Sequence, residues 1–260
     1  MSSAIKRITA LGVAVLIATF GAGTSSVSAT ASWTYSGATG PAHWGTIDAA
    51  YATCADGSAQ SPINVTGAVS KNMTNIKFDY IAGEAGVFNN GHTVEAEPMG
   101  EAANSKVTIG TKQYPFLQFH FHAPSEHKVN GKRYPLEIHF VHKNAQNEIA
   151  VVGVLVKVGK ENAAWDEFVN AAPFATADPE ETTIELDWAK LLPKNRQTYR
   201  YNGSLTTPGC AEGVKWNLFS TPIEMSATQI ESFRNEYAGN ARPVQPLNGR
   251  VIVFDKTANK

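Results

Sequence analysis

Gln118-Phe119-His120-Phe121-His122 alternates polar and aromatic side chains, and Ala123-Pro124-Ser125-Glu126-His127 follows at once. In an extended chain, residues two apart share a face. Gln118, His120 and His122 therefore point one way, and Phe119 and Phe121 the other. A second run, Leu136-Glu137-Ile138-His139-Phe140-Val141-His142, puts Glu137, His139 and Val141 on a common face. Laid beside the first, it brings His139 to the other two histidines. Three neutral imidazoles around one point are a protein ligand set for a catalytic zinc, which keeps its fourth position for water. Ligating histidines usually give their second ring nitrogen to a carboxylate, an amide or a backbone carbonyl. Gln118 and Glu137 each sit two residues before a ligand and on its face, in reach of that role. A lone strand histidine reads as an ordinary half-buried side chain; His-x-His with a third histidine beside its own carboxylate points to a metal. His142, opposite in face to His139, and His127, next to Glu126, read as hydrogen-bonded structural residues. His43, in a Pro-Ala-His-Trp turn, is assigned no chemistry.

The elements that must carry these residues read mainly as strands. Runs rich in Val, Ile, Phe and Thr at 76–80, 106–109, 116–122, 136–142, 149–158 and 251–254 are separated by Gly, Pro and Asn clusters. Ala150-Val151-Val152-Gly153-Val154-Leu155-Val156 is apolar on both faces, as a central buried strand should be. Helices are predicted at 165–171, 188–191 and 227–237, the last opened by Ser226 as N-cap and closed near Gly239. Periodicity alone gives a β-rich single domain.

Residues 1–29 have the pattern of a secretory signal: Lys6 and Arg7, an apolar stretch from Leu11 to Phe20, then Val27-Ser28-Ala29 at a cleavage site. An uncleaved anchor is the other reading. No later stretch approaches the roughly twenty apolar residues of a spanning helix. The remaining residues, 30–260, contain no linker, repeat or charge block and read as one domain. A net charge of -1, with both signs interspersed, gives no reason to expect a nucleic-acid or membrane-surface partner. The two cysteines, Cys54 and Cys210, form an even set in a chain that leaves the reducing compartment. A bridge and two free thiols are both open at this point.

Beyond the histidines, an ordered set of motifs resembles the α-class carbonic anhydrases. It comprises Gly40-Pro41-Ala42-His43-Trp44-Gly45, Ser61-Pro62-Ile63-Asn64, Asn90-Gly91-His92, the two histidine runs, Gly203-Ser204-Leu205-Thr206-Thr207-Pro208, Val214-Lys215-Trp216 and Asn240-Ala241-Arg242-Pro243-Val244-Gln245-Pro246-Leu247. The likeness runs from about residue 33 to 254 and is similar to the exported bacterial members of the family. It implies a mainly β (α+β) single domain, a large twisted, mostly antiparallel central sheet with short peripheral helices. It also implies Zn2+ on His120, His122 and His139, and reversible hydration of carbon dioxide to bicarbonate and a proton by a zinc-bound hydroxide, with weak esterase activity.

Further roles follow from the resemblance alone. Thr206 gives its proton to Glu126 and receives one from the zinc hydroxide; by itself, Thr-Thr-Pro-Gly reads only as a turn. Val141, Val151, Leu205, Thr207, Val214 and Trp216 match the substrate pocket, although apolar residues there equally suit plain core packing. His92 matches the proton shuttle, since an imidazole near pKa 6.5 takes and releases protons at neutral pH; after Asn90-Gly91 it also reads as an exposed loop residue. The carbonyl of Asn240 orients a ligand, His122. The resemblance favours pairing of Cys54 with Cys210. The segment between His122 and Glu126 is shorter than in animal members and lacks their tryptophan, which implies a wider mouth. Apart from the resemblance, exposed-looking strands leave a homodimer open without marking an interface, and the leader implies a periplasmic or secreted location. Two rivals remain at this stage: a binding protein that keeps the fold without turnover, and a cupin-type oxygenase with a redox metal.

Overall fold

The computed structural model describes residues 31–172 and 182–257; the proposed leader and its cleavage site lie outside them. The chain from residue 31 onward groups as one unit. Its centre is a large sheet whose strands run in the spatial order Thr182–Leu186, Gly83–Asn89, Val94–Pro98, Lys112–His122, Leu136–Lys143, Ile149–Val158, Glu212–Phe219, Thr198–Ser204, Val253–Asp255 and Val69–Lys71. Most neighbours are antiparallel, but Ile149–Val158 pairs in parallel with Glu212–Phe219, and Val253–Asp255 with Val69–Lys71.

The predicted alternation sets the two faces. Phe119, Phe121, Ile138, Phe140, Val152, Val154 and Val156 enter one large core with Trp165, Phe168, Trp188 and Phe233. Each such side chain contributes roughly 1.5–3 kcal/mol through the water it sheds. Ile63, Val65, Val151, Leu155, Tyr201, Val214, Trp216 and Leu218 form a second core, with Val141 and Leu205 packed against it half-buried. The apolar strand at 149–158 is central, because it feeds both cores. Gly153 opposes His139 in register; a Cβ there would meet Leu218 Cδ1 at 2.7 Å, so any larger residue obliges the Leu218 side chain to shift.

Some boundaries move. The first histidine strand begins at Lys112, four residues before the apolar pattern, because residues 112–115 close a hairpin with Lys106–Ile109. Residues 188–191, predicted helical, form a turn closed by Lys190 N–H to the Asp187 carbonyl at 2.9 Å. Pro193 lies just beyond, and the residue before a proline is disfavoured in α conformation, so the turn does not propagate. Residues 166–171 are helical behind a single 3-10 turn. Ala227–Tyr237 is the helix its caps predict: the Ser226 side chain accepts from the Gln229 N–H, and the Gln229 side chain accepts from the Ser226 N–H.

Candidate metal centre and its surroundings

The two histidine strands pair antiparallel with His120 directly opposite His139, His122 opposite Glu137 and Gln118 opposite Val141. This register puts the three predicted imidazoles together: one ring nitrogen from each lies within 4.8 Å of the other two. The second nitrogen of each is taken. His120 Nδ1 is 2.8 Å from Gln118 Oε1, His122 Nδ1 is 2.7 Å from the Asn240 carbonyl oxygen, and His139 Nε2 is 2.8 Å from Glu137 Oε1. These contacts leave His120 Nε2, His122 Nε2 and His139 Nδ1 for a common ligand. His122 Nε2 is buried with no hydrogen-bond partner, an arrangement that is costly unless something else binds it. Burial, and then the neighbouring imidazoles, holds the His120 pKa well below 6.5, and burial lowers that of His122 as well. Neutral imidazoles are the form a metal takes. The donor set and its convergence fit a zinc ion.

His127, Glu137 and His139 also satisfy the distance criterion for a metal cluster, but their atoms are spent on one another. Glu137 Oε1 receives His127 Nδ1 at 2.6 Å as well as His139, and Glu137 Oε2 accepts the His127 backbone N–H at 2.8 Å. Burial pushes the Glu137 carboxyl up; the charge of His127 and the hydrogen bonds from both histidines outweigh it and hold the group well below the usual carboxylate range. His127 Nε2 continues to the Tyr201 hydroxyl at 2.6 Å, which meets Ser61 Oγ at 2.8 Å. Read from the sequence as structural, His127 anchors the carboxylate that orients His139.

Glu126 is fully buried, with Oε1 accepting the Arg242 backbone N–H at 2.8 Å and Oε2 without a partner. Thr206 is also buried, yet no hydrogen bond between it and Glu126 is present among the described residues. Its loop is tied down by Leu205 N–H to the Ala211 carbonyl and Cys210 N–H to the Thr207 carbonyl. Cys54 and Cys210 are bridged, with sulfurs 2.06 Å apart, settling the choice the sequence left open. Arg242 Nη2 donates to the Cys54 carbonyl and Gln60 Nε2 to that of Cys210.

A cavity of ≈ 180 Å³ lies over the ligands, lined by Gln118, His120, His122, His92, Thr207, Glu95, Trp33 and Tyr35 among others. Of the expected pocket residues, Thr207 lines it. Val141, Val151, Leu205, Val214 and Trp216 belong to the adjoining apolar cluster, where the Trp216 ring lies 4.8 Å from that of His139. None of these five is among the residues that line the cavity, and packing is the role the structure shows for them. His92 is half-buried on the cavity, its ring stacked on Trp33 at 3.7 Å and 6°, and burial lowers its pKa. Its loop is the predicted turn: Asn90 Oδ1 accepts the N–H groups of His92 and Thr93.

Glu95, Trp33 and Tyr35 were not read from the sequence as site residues. Glu95 pairs in register with His120, and burial, then the charge of Glu97, pushes its carboxyl up to about 7. Nothing in its local pattern announces this, because the pairing partner comes from a distant strand.

Residues 39–256 match the eukaryotic-type carbonic anhydrase family. A carbonic anhydrase of Klebsiella pneumoniae is 39% identical over 222 residues, 85% of this chain and 90% of that one. The α-carbonic anhydrase of Thermovibrio ammonificans, solved with the inhibitor sulfanilamide, is 45% identical with a TM-score of 0.82, over 86% of this chain and all of that one. Dioscorin, solved in complex with ascorbate, is 28% identical with a TM-score of 0.80, over 88% of this chain and all of that one.

Proposed function

The chain belongs to the eukaryotic-type, or α, carbonic anhydrase family, and from that premise we propose that it hydrates carbon dioxide reversibly at a zinc held by His120, His122 and His139. The observation that carries the reading is the trio of converging ring nitrogens, one of them buried and otherwise unpartnered. Zinc bound there supplies hydroxide near neutral pH by lowering the pKa of water to about 7. Gln118, Glu137 and the Asn240 carbonyl fix the tautomer and aim of the three imidazoles. The role assigned to Thr206 requires its hydroxyl to turn to Glu126 Oε2, the carboxylate oxygen that lacks a donor in its buried setting, leaving the threonine oxygen to face the nucleophile as an acceptor. Val141, Val151, Leu205, Val214 and Trp216 offer an uncharged substrate an apolar wall, with Thr207 at its edge. His92 takes the released proton to buffer.

Family membership removes the oxygenase reading. The binding-protein reading retains a specific support, since dioscorin shares the fold, and turnover decides it. Residues 30–260 constitute the catalytic domain. The disulfide supports export to the periplasm or medium behind a leader at 1–29.

The test is stopped-flow carbon dioxide hydration by the zinc-loaded protein beside His120→Ala, with zinc content measured on both. Fast hydration in the wild type and loss of both zinc and rate in the variant is the expected result. A folded, zinc-containing wild type without hydration would overturn the enzyme reading in favour of binding alone.

A further inference from the structure

Arg196 lies away from the histidines, just before the Thr198–Ser204 strand. Its guanidinium carbon is 5.0 Å from the Phe78 ring centre and 5.7 Å from that of Phe219, and the two rings stack on each other. Among the described residues the guanidinium makes no hydrogen bond and no ion pair, and Nη1 is buried without a partner. The buried arginines behave otherwise: Arg200 pairs with Asp255, and Arg242 donates to Gln60, Ser61 and Cys54. Burial lowers the Arg196 pKa, as it must for a partly desolvated cation with no counter-charge.

The guanidinium is a rigid fork of five donors. None of the five is used by a hydrogen bond among the described residues, and Arg196 lines an open cavity of ≈ 690 Å³ with Asn75, Lys77, Asp79 and Lys194. Asn75, which also lines the cavity, has its Oδ1 likewise buried and unpartnered. Three cations face one carboxylate here, in a chain whose net charge is -1. The cavity shares no lining residue with that over the histidines.

We propose that this cavity is a separate anion site that takes a small carboxylate-type oxyanion, held by the unpaired guanidinium fork of Arg196 with Asn75 and Lys194 alongside. Bidentate guanidinium–carboxylate pairing supplies the geometry, and the aromatic rings hold the fork in place. Bicarbonate and organic monocarboxylates share this planar, two-oxygen face; chloride does not.

The test is NMR of the zinc-loaded 15N-labelled protein, following the Arg196 side-chain Nε–H and the Asn75 amide during titration with bicarbonate, acetate or chloride at constant ionic strength. Saturable shifts with a planar oxyanion, about tenfold weaker with chloride and in Arg196→Met, are expected from loss of a bidentate charged pair. Saturation by bicarbonate alone identifies a site for the free product, and saturation by acetate as well a general carboxylate site. Hydration activity should persist in Arg196→Met. Should that variant fold poorly, Lys77→Ala with Lys194→Ala must weaken binding severalfold. Linear, unsaturated shifts, equal response to chloride, or binding unchanged in the variants would overturn the proposal and leave the cavity to water.

Discussion

The convergence of His120, His122 and His139 was legible because a period of two is a strong local signal, and because Gln118 and Glu137 repeat it beside the histidines they meet. Glu95 was illegible for a complementary reason. Its proximity to His120 exists only through strand pairing, and burial, the first cause of its elevated carboxyl, comes with the fold, although Glu97, the second, lies two residues on. The disulfide and the Asn240 carbonyl lay between these cases, reached through resemblance and not through spacing. At this scale the sharpest prediction concerns His92. A shuttle must accept protons in its neutral form, and burial lowers its pKa below 6.5, so it stays neutral to a more acidic pH than a free imidazole. Through the fall in hydration that the zinc-bound water sets at about pH 7, His92 should therefore stay neutral, and its own protonation should limit hydration at low buffer concentration only at more acidic pH. His92→Ala should slow it on the order of a hundredfold, with millimolar imidazole buffer restoring the rate. A loss that added buffer does not repair would remove the shuttle role.

The Leu136–Lys143 strand carries two histidines with opposite tasks, and its pleat alone separates them. His139 turns to the metal face, while His142, three residues on, enters the apolar side, fully buried, with Nε2 2.8 Å from the Tyr80 hydroxyl. Burial pushes the His142 pKa down to about 3. The unfolded chain therefore binds a proton below pH 6.5 that the native state refuses until about pH 3, and stability falls as pH drops through that window. The loss assigned to this residue between pH 7 and pH 4 is about 3 kcal/mol. His142→Phe should lose less stability than wild type over that interval in urea unfolding, whatever its stability at pH 7. Parallel declines in the two proteins would mean that other groups carry the acid sensitivity. The helices divide similarly in legibility. Ala227–Tyr237 announces itself through Ser226 and Gln229, a local exchange of hydrogen bonds, whereas residues 188–191 have helical composition and no room to continue before Pro193.

Across the whole molecule, the site is held by segments far apart in sequence. The Cys54–Cys210 bridge spans 156 residues, and the entropy model gives such a closure roughly 5 kcal/mol, an upper figure. Replacing both cysteines with serine should lower unfolding free energy by about 2–5 kcal/mol; a change below about 1 kcal/mol would show that the surrounding hydrogen bonds already close the loop. Gln60 reaches Arg242 across 182 residues, Arg250 reaches the Gln60 carbonyl across 190, and His122 leans on Asn240 across 118. Such separations make folding slow, since distant pieces of chain must meet before their contacts reward it. They also impose an order in time. A chain still being synthesised possesses all three imidazoles more than a hundred residues before the carbonyl that aims His122 exists, and it carries Gln60 and Ser61 longer still before Arg242 arrives to clasp them. Correct seating of a metal is thus an event of completion, reserved for chains whose residues near 240–250 have already been made.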